Sequence, residues 1–166
     1  MSGRHRFIVC LLVLLALSAL GGCNLTGPAA CQSFTIPNAA MEPTYNEGQL
    51  VVIDTQAYAS AKPKRGQIVI AQEPPNSGQQ EALRVIGLPG ETVRLSETQT
   101  FINGTLLTEP FVLHRGTQQP QEVTLAADQY FLMGDNRPES RDSRDFGPTP
   151  LKAIAAEVGT NVCPNN

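Results

Sequence analysis

Between Asn46 and Met133 the apolar residues come in short runs, each closed by turn chemistry. This pattern admits strands and leaves little room for long helices. Leu50-Val51-Val52-Ile53 follows an Asn46-Glu47-Gly48 turn, and Gln67-Ile68-Val69-Ile70-Ala71 follows Lys64-Arg65-Gly66. Leu83-Arg84-Val85-Ile86 runs into Gly87-Leu88-Pro89-Gly90 after the loop Pro74-Pro75-Asn76-Ser77-Gly78. Thr92 to Leu95, Val123 to Leu125 and Tyr130 to Met133 are further strand candidates. Phe101-Ile102 and Leu106-Leu107 flank Asn103-Gly104, the dipeptide that best supplies the two positive φ angles of a tight hairpin turn. Only residues 151–158 (LKAIAAEV) look helical, and they read equally well as a closing strand. The fold expected is all-β and antiparallel, a barrel or sandwich with minimal extra domain. Hydrophobic residues at 41% suffice for a core.

The N-terminus reads differently. Arg4 and Arg6 precede an apolar run of 14 residues, Phe7 to Leu20, short of the roughly 20 that a membrane span needs. It ends in Leu20-Gly21-Gly22-Cys23, which resembles a bacterial lipobox, where Cys23 takes the lipid after cleavage. Residues 1–22 are thus expected to be a lipoprotein signal peptide and 23–34 a lipidated tether. The main domain is expected over 35–160, with a tail at 161–166. The alternative is an uncleaved, short membrane anchor.

Loss of Arg4 and Arg6 leaves 10 Lys+Arg against 15 Asp+Glu, a net charge of −5. No basic stripe remains for nucleic acid. With Cys10 in the apolar run and Cys23 the lipid site, Cys31 and Cys163 form an even pair. Outside the cytoplasm a disulfide between them is plausible, and two free thiols are the alternative. The bridge would close a loop of roughly 130 residues and contribute up to about 5 kcal/mol in the chain-entropy account. Cysteine and histidine spacings match no metal site, and no phosphate loop or cofactor motif is visible.

Three stretches carry the chemistry: Ile36-Pro37-Asn38-Ala39-Ala40-Met41-Glu42-Pro43-Thr44, then Leu83 to Glu91 (LRVIGLPGE), then Gly134 to Gly147 (GDNRPESRDSRDFG). In sequence and order they resemble the bacterial signal peptidase I family, over roughly residues 35–160. The resemblance implies a serine peptidase in which serine attacks the scissile carbonyl and a lysine is the general base. That lysine must be neutral, which burial in an apolar pocket favours. The serine position, directly before Met-x-Pro-Thr, is Ala40. The lysine position, directly before Arg-Val-Ile-Gly, is Leu83. Both reactive groups are therefore replaced, and the pair is consistent: without the serine, a buried lysine has no task and still costs desolvation.

Arg84 stays protonated in proteins and cannot be a base. Lys62, Lys64 and His114 read as surface residues. The resemblance further implies that Ser140 sits beside the lysine position and that Asp142 and Arg144 form a buried ion pair holding the turn. Without a lysine, the Ser140 hydroxyl is expected to bond backbone or water. Asn38 stands where the family often carries an oxyanion donor, with the Ala40 N–H as the second.

Three functions are compatible with this pattern. The first is a lipid-anchored pseudopeptidase in the bacterial envelope, on the extracytoplasmic face of a membrane, binding signal-peptide-like extended peptides by strand addition or modulating an active homologue. The second is an active signal peptidase using other residues. The third is a structural envelope lipoprotein with a vestigial groove.

Overall fold

The computed structural model describes residues 30–159. Eleven strands and one short helix follow in chain order: β1 (Cys31–Thr35), β2 (Leu50–Asp54), β3 (Ile68–Gln72), β4 (Gln80–Gly87), β5 (Thr92–Leu95), β6 (Thr100–Ile102), β7 (Thr105–Leu106), β8 (Gln121–Thr124), β9 (Gln129–Met133), α1 (Ser143–Phe146), β10 (Thr149–Pro150) and β11 (Ile154–Val158). Seven strands form one sheet in the order β1-β2-β11-β3-β4-β9-β10, and four form a second in the order β7-β6-β5-β8. Each strand pairing is antiparallel. The all-β expectation holds.

Strands β3, β4 and β9 are buried on both faces, which explains why they read as continuous apolar runs, whereas β2 and β11 expose one face. Along β3 the side chains alternate. Ile68 and Ile70 join a core with Ile36, Met41, Val51, Ile53, Ala82 and Val158, whereas Val69 and Ala71 join a second with Leu83, Val85, Tyr130, Leu132 and Ile154. A third core ties the small sheet to the large one, with Val93, Leu95 and Ile102 packed against Ile86, Phe131 and Met133. The Asn103-Gly104 turn has φ of 49° and 81°, as the hairpin reading requires.

One expectation is corrected, and the open choice at residues 151–158 is decided for the closing strand. The segment expected as tether, 23–34, already contains most of β1, which pairs with β2 from Cys31↔Asp54 to Thr35↔Leu50. The sequence CQSFT hides this because an edge strand exposed at Gln32 and Ser33 needs no apolar alternation. Residues 151–158 split into a 3-10 turn, Leu151–Ala153, and strand β11, which is inserted between β2 and β3. Ile154, Ala156 and Val158 are buried while Ala155 is exposed, and pairing with β2 and β3 overrides the helix propensity of the alanines.

One detail of topology positions the site. β3 pairs with β4 from Gln80 to Arg84, but β9 pairs with it only from Arg84 onward. Gln80 to Leu83 therefore have no strand neighbour on the β9 side. The 3-10 turn Ala39–Met41 lies against β4 and against the turn Arg137–Glu139.

Candidate functional site

The turn Ala39–Met41 is built locally. Asn38 is extended (φ −158°, ψ 179°) and caps the turn, its Oδ1 accepting the Ala40 N–H at 3.0 Å. Met41 is fully buried in the first core and anchors the turn from below. From the third motif, the Asn136 N–H donates to the Ala40 carbonyl at 2.9 Å and its side-chain amide donates to the Ala39 carbonyl at 3.1 Å. Segments about a hundred residues apart are thus locked together.

Gly134 shows how closely they meet. A Cβ there would stand 2.4 Å from Ser140 Oγ and 2.6 Å from the Ala40 carbonyl oxygen. No side chain fits, so glycine is required by space. Ser140 and the Ala40 carbonyl therefore converge on one point.

The remaining motif residues form a buried polar framework. Asp142 accepts the Ser140 hydroxyl at 2.7 Å, the Gly134 N–H at 3.0 Å and Arg144 Nε at 2.8 Å, while Arg144 Nη2 also donates to the Ser140 and Arg137 carbonyls. Asp142 further caps α1, with Asp145 returning a bond to its N–H. The expectation of an Asp142–Arg144 pair is met in geometry. The expectation for Ser140 is corrected: its hydroxyl donates to the Asp142 carboxylate, two residues on. A second framework was missed. Arg84 forms a two-pronged bond to Asp135, donates to the Gly66 carbonyl at 2.7 Å and lies 4.1 Å from the Phe111 ring centroid, while Thr44 donates to Asp135 as well.

Leu83 has no exposed surface and packs among Val69, Val85, Tyr130 and Leu132. Ala40 is 4% exposed. Lys62, Lys64 and His114 are all exposed, and none lines the cleft beside Ala40.

The two donors expected for an oxyanion are also engaged. The Ala40 N–H points to Asn38 Oδ1, and Asn38 Nδ2 donates to Glu81 Oε2 at 2.7 Å. The reading of Asn38 as a free oxyanion donor is thus corrected. Glu81 is a stronger acceptor than a transient carbonyl oxygen and holds the amide.

Glu81 belongs to a cleft of about 470 Å³ beside Ala40, lined also by Asn38, Glu73, Gln79 and Arg141. Burial pushes the Glu73 carboxyl up from 4.5 to about 7, reinforced by the Asp142 and Glu81 charges and opposed by a hydrogen bond from the Thr149 hydroxyl. Burial also raises Glu81, and its bond from Asn38 opposes that shift. Sequence reading missed both carboxylates. The available signal was an acid, Glu81, two residues before Leu83 on the same strand face. A depression of about 570 Å³ along Arg94–Thr98 and Pro120–Glu122 is larger, but no motif residue lines it.

Residues 5–163 match the family model described as signal peptidase, peptidase S26. A probable signal peptidase I-2 from Synechocystis sp. is 34% identical over 124 residues, covering 72% of this chain and 57% of the relative. This chain therefore spans little more than half of that relative's length. A signal peptidase I from Bacillus amyloliquefaciens is 32% identical over 133 residues, covering 74% of this chain and 70% of the relative. The crystal structure of a signal peptidase I from Enterococcus faecalis superposes with a TM-score of 0.52 at 32% identity, covering 60% of this chain and 98% of the other.

Proposed function

Because the chain belongs to the peptidase S26 signal peptidase family, we propose that it is a disarmed member of it, which holds extended peptides in the cleft beside Ala40 without cutting them. The observation that carries this reading is the pair Ala40 and Leu83. A methyl group stands where the nucleophile belongs, and a fully buried leucine in an apolar cluster stands where the base belongs. Neither side chain can attack a carbonyl or move a proton.

Nearby groups offer no replacement. Ser140 is bonded to Asp142, which Arg144 holds, and the Thr149 hydroxyl that donates to Glu73 is fully buried and does not line the cleft. Binding is a separate matter. Gln80 to Leu83 lack a strand partner on the β9 side, so this stretch suits addition of an extended peptide strand, with the cleft receiving a side chain. The test uses the purified full chain in neutral detergent with a fluorescent preprotein peptide. Saturable binding with the peptide intact by mass spectrometry is expected. Cleavage at a defined bond would sink the reading and make this an active peptidase. Absence of binding would favour a structural lipoprotein.

The membrane attachment we propose is a lipid on Cys23, which lies outside the described residues, as do Cys163 and the expected tail at 161–166. Eight chain positions lead from Cys23 to Cys31, where β1 begins. Fully extended they span about 27 Å. That reach holds β1 and its neighbour β2, whose Leu50 and Val52 are 65% and 46% exposed on one strand face, close to a bilayer. The match beginning at residue 5 favours a second reading, in which the apolar run stays as an uncut anchor. Among the described residues no helix is long and apolar enough to cross a membrane. Non-reducing intact-mass spectrometry separates these readings and tests the proposed Cys31–Cys163 bridge. The expected species lacks residues 1–22, carries acyl mass on Cys23 and gains no alkylation at Cys31 or Cys163. An unprocessed chain, or alkylation of Cys163, would contradict the respective claim.

A further inference from the structure

Glu73 is 2% exposed, and it lines the cleft beside Ala40. One of its oxygens accepts from Thr149, whose hydroxyl lies 3.4 Å from Ser143 Oγ. The other, Oε2, is buried without a hydrogen-bond partner. A buried acceptor left unpaired costs about 1–3 kcal/mol, so this atom marks a place where a donor belongs. Glu81 lines the same cleft, its Oε2 tied to Asn38. Glu139 adds a third carboxylate to the lining, and Arg141 is the one cation among the lining residues. Arg141 lies over the Phe146 ring at 4.8 Å, and among the described residues no ion pair joins it to Glu73 or Glu81.

We propose that this cleft takes the cationic side chain of a lysine or arginine in an extended peptide, held between the Glu73 and Glu81 carboxylates. The inference rests on the reading of the cleft as a peptide site and specifies what it selects. A small apolar side chain would leave the buried Glu73 Oε2 without a partner. A neutral donor would satisfy that oxygen but leave two nearby carboxylates repelling each other. An ammonium or guanidinium group donates to the orphan oxygen and offsets the repulsion together. A bare metal ion fits less well. Among the described residues no group of three or more His, Cys, Asp or Glu side chains stands together as a donor set. The volume of about 470 Å³ accommodates a long basic side chain and its flanking backbone.

The test compares three fluorescent ten-residue peptides, alike except for a central lysine, acetyl-lysine or alanine. Each is titrated by anisotropy into the full chain in neutral detergent at pH 8. Glu73, beside the Thr149 hydroxyl and the Asp142 and Glu81 carboxylates, is mostly ionised there. The lysine peptide is expected to bind at least about tenfold more tightly than the acetylated one, and Glu73→Gln and Glu81→Gln to remove most of that preference. Equal binding of the three peptides overturns the charge assignment and leaves the peptide cleft standing. If no peptide binds, butylammonium is titrated in its place while the Glu73 carboxyl is followed by carbon NMR. A shifted titration then retains the cation site and removes the peptide reading, and an unchanged titration removes both.

Discussion

Replacing Glu73 by glutamine should change how stability responds to pH. In the folded protein this carboxyl titrates near 7 rather than 4.5, chiefly through burial. A folded-state value above the unfolded one means that the folded protein holds the proton more tightly. Its contribution is fully present below about pH 4.5 and is lost as pH rises through about 7. The full shift corresponds to about 3 kcal/mol, and relaxation toward the open cleft reduces this to roughly 1–3 kcal/mol. Glutamine keeps an oxygen for the Thr149 hydroxyl and never ionises, so Glu73→Gln is released from this loss. Urea unfolding followed by circular dichroism at pH 5, 6, 7 and 8 reads the difference. The variant should gain roughly 1–3 kcal/mol on the wild type between pH 5 and pH 8, most of it between pH 5 and pH 7. A constant offset reflects only the exchange of hydroxyl for amide, so the slope is the measured quantity. A difference that stays flat across pH would refute the picture of a buried carboxyl forced to ionise.

Two further substitutions test the framework around Ala40. Gly134→Ala should destabilise the fold by about 1–3 kcal/mol in urea titrations, because its methyl meets the Ala40 carbonyl oxygen and Ser140 Oγ well inside contact distance. An unchanged midpoint would mean that the two motifs are not in contact. Asp135→Ala should cost about 3–5 kcal/mol by the same measurement, since Arg84, only 9% exposed, is then left without its carboxylate. A loss below about 1 kcal/mol would show that Arg84 reaches water or another partner.

The parts of the molecule legible in the sequence were those fixed by local rules. The Asn103-Gly104 turn needs only two residues, and the boundaries of β5, Thr92 to Leu95, follow from its alternation. The resemblance placed Ser140 beside residue 83, and its approach to the Ala40 carbonyl is seen only in the structure. What the sequence hid depends on distant partners. Glu73 meets Thr149, 76 residues away, and Glu81 meets Asn38, 43 residues away. No local pattern distinguishes such an acid from a solvated loop glutamate. Asn38 was misread for the same reason: its amide was expected to face a substrate, but a carboxylate on β4 reaches it first. β1 escaped notice because an edge strand with one buried neighbour carries almost no hydrophobic period.

The most direct measurement pairs the native chain with the double substitution Ala40→Ser/Leu83→Lys. Serine placed at the Asn38-capped turn lies beside Ser140, and a lysine within the apolar cluster of Val69, Val85 and Leu132 is pushed toward its neutral form. Both full chains are incubated with a preprotein, and the products are identified by mass spectrometry. Cleavage at a single junction by the double variant, with none by the native chain or by either single variant, is the result expected of an intact cleft without its reactive groups. Cleavage by the native chain at the same junction would contradict the assignment of residues 40 and 83 and require a nucleophile elsewhere.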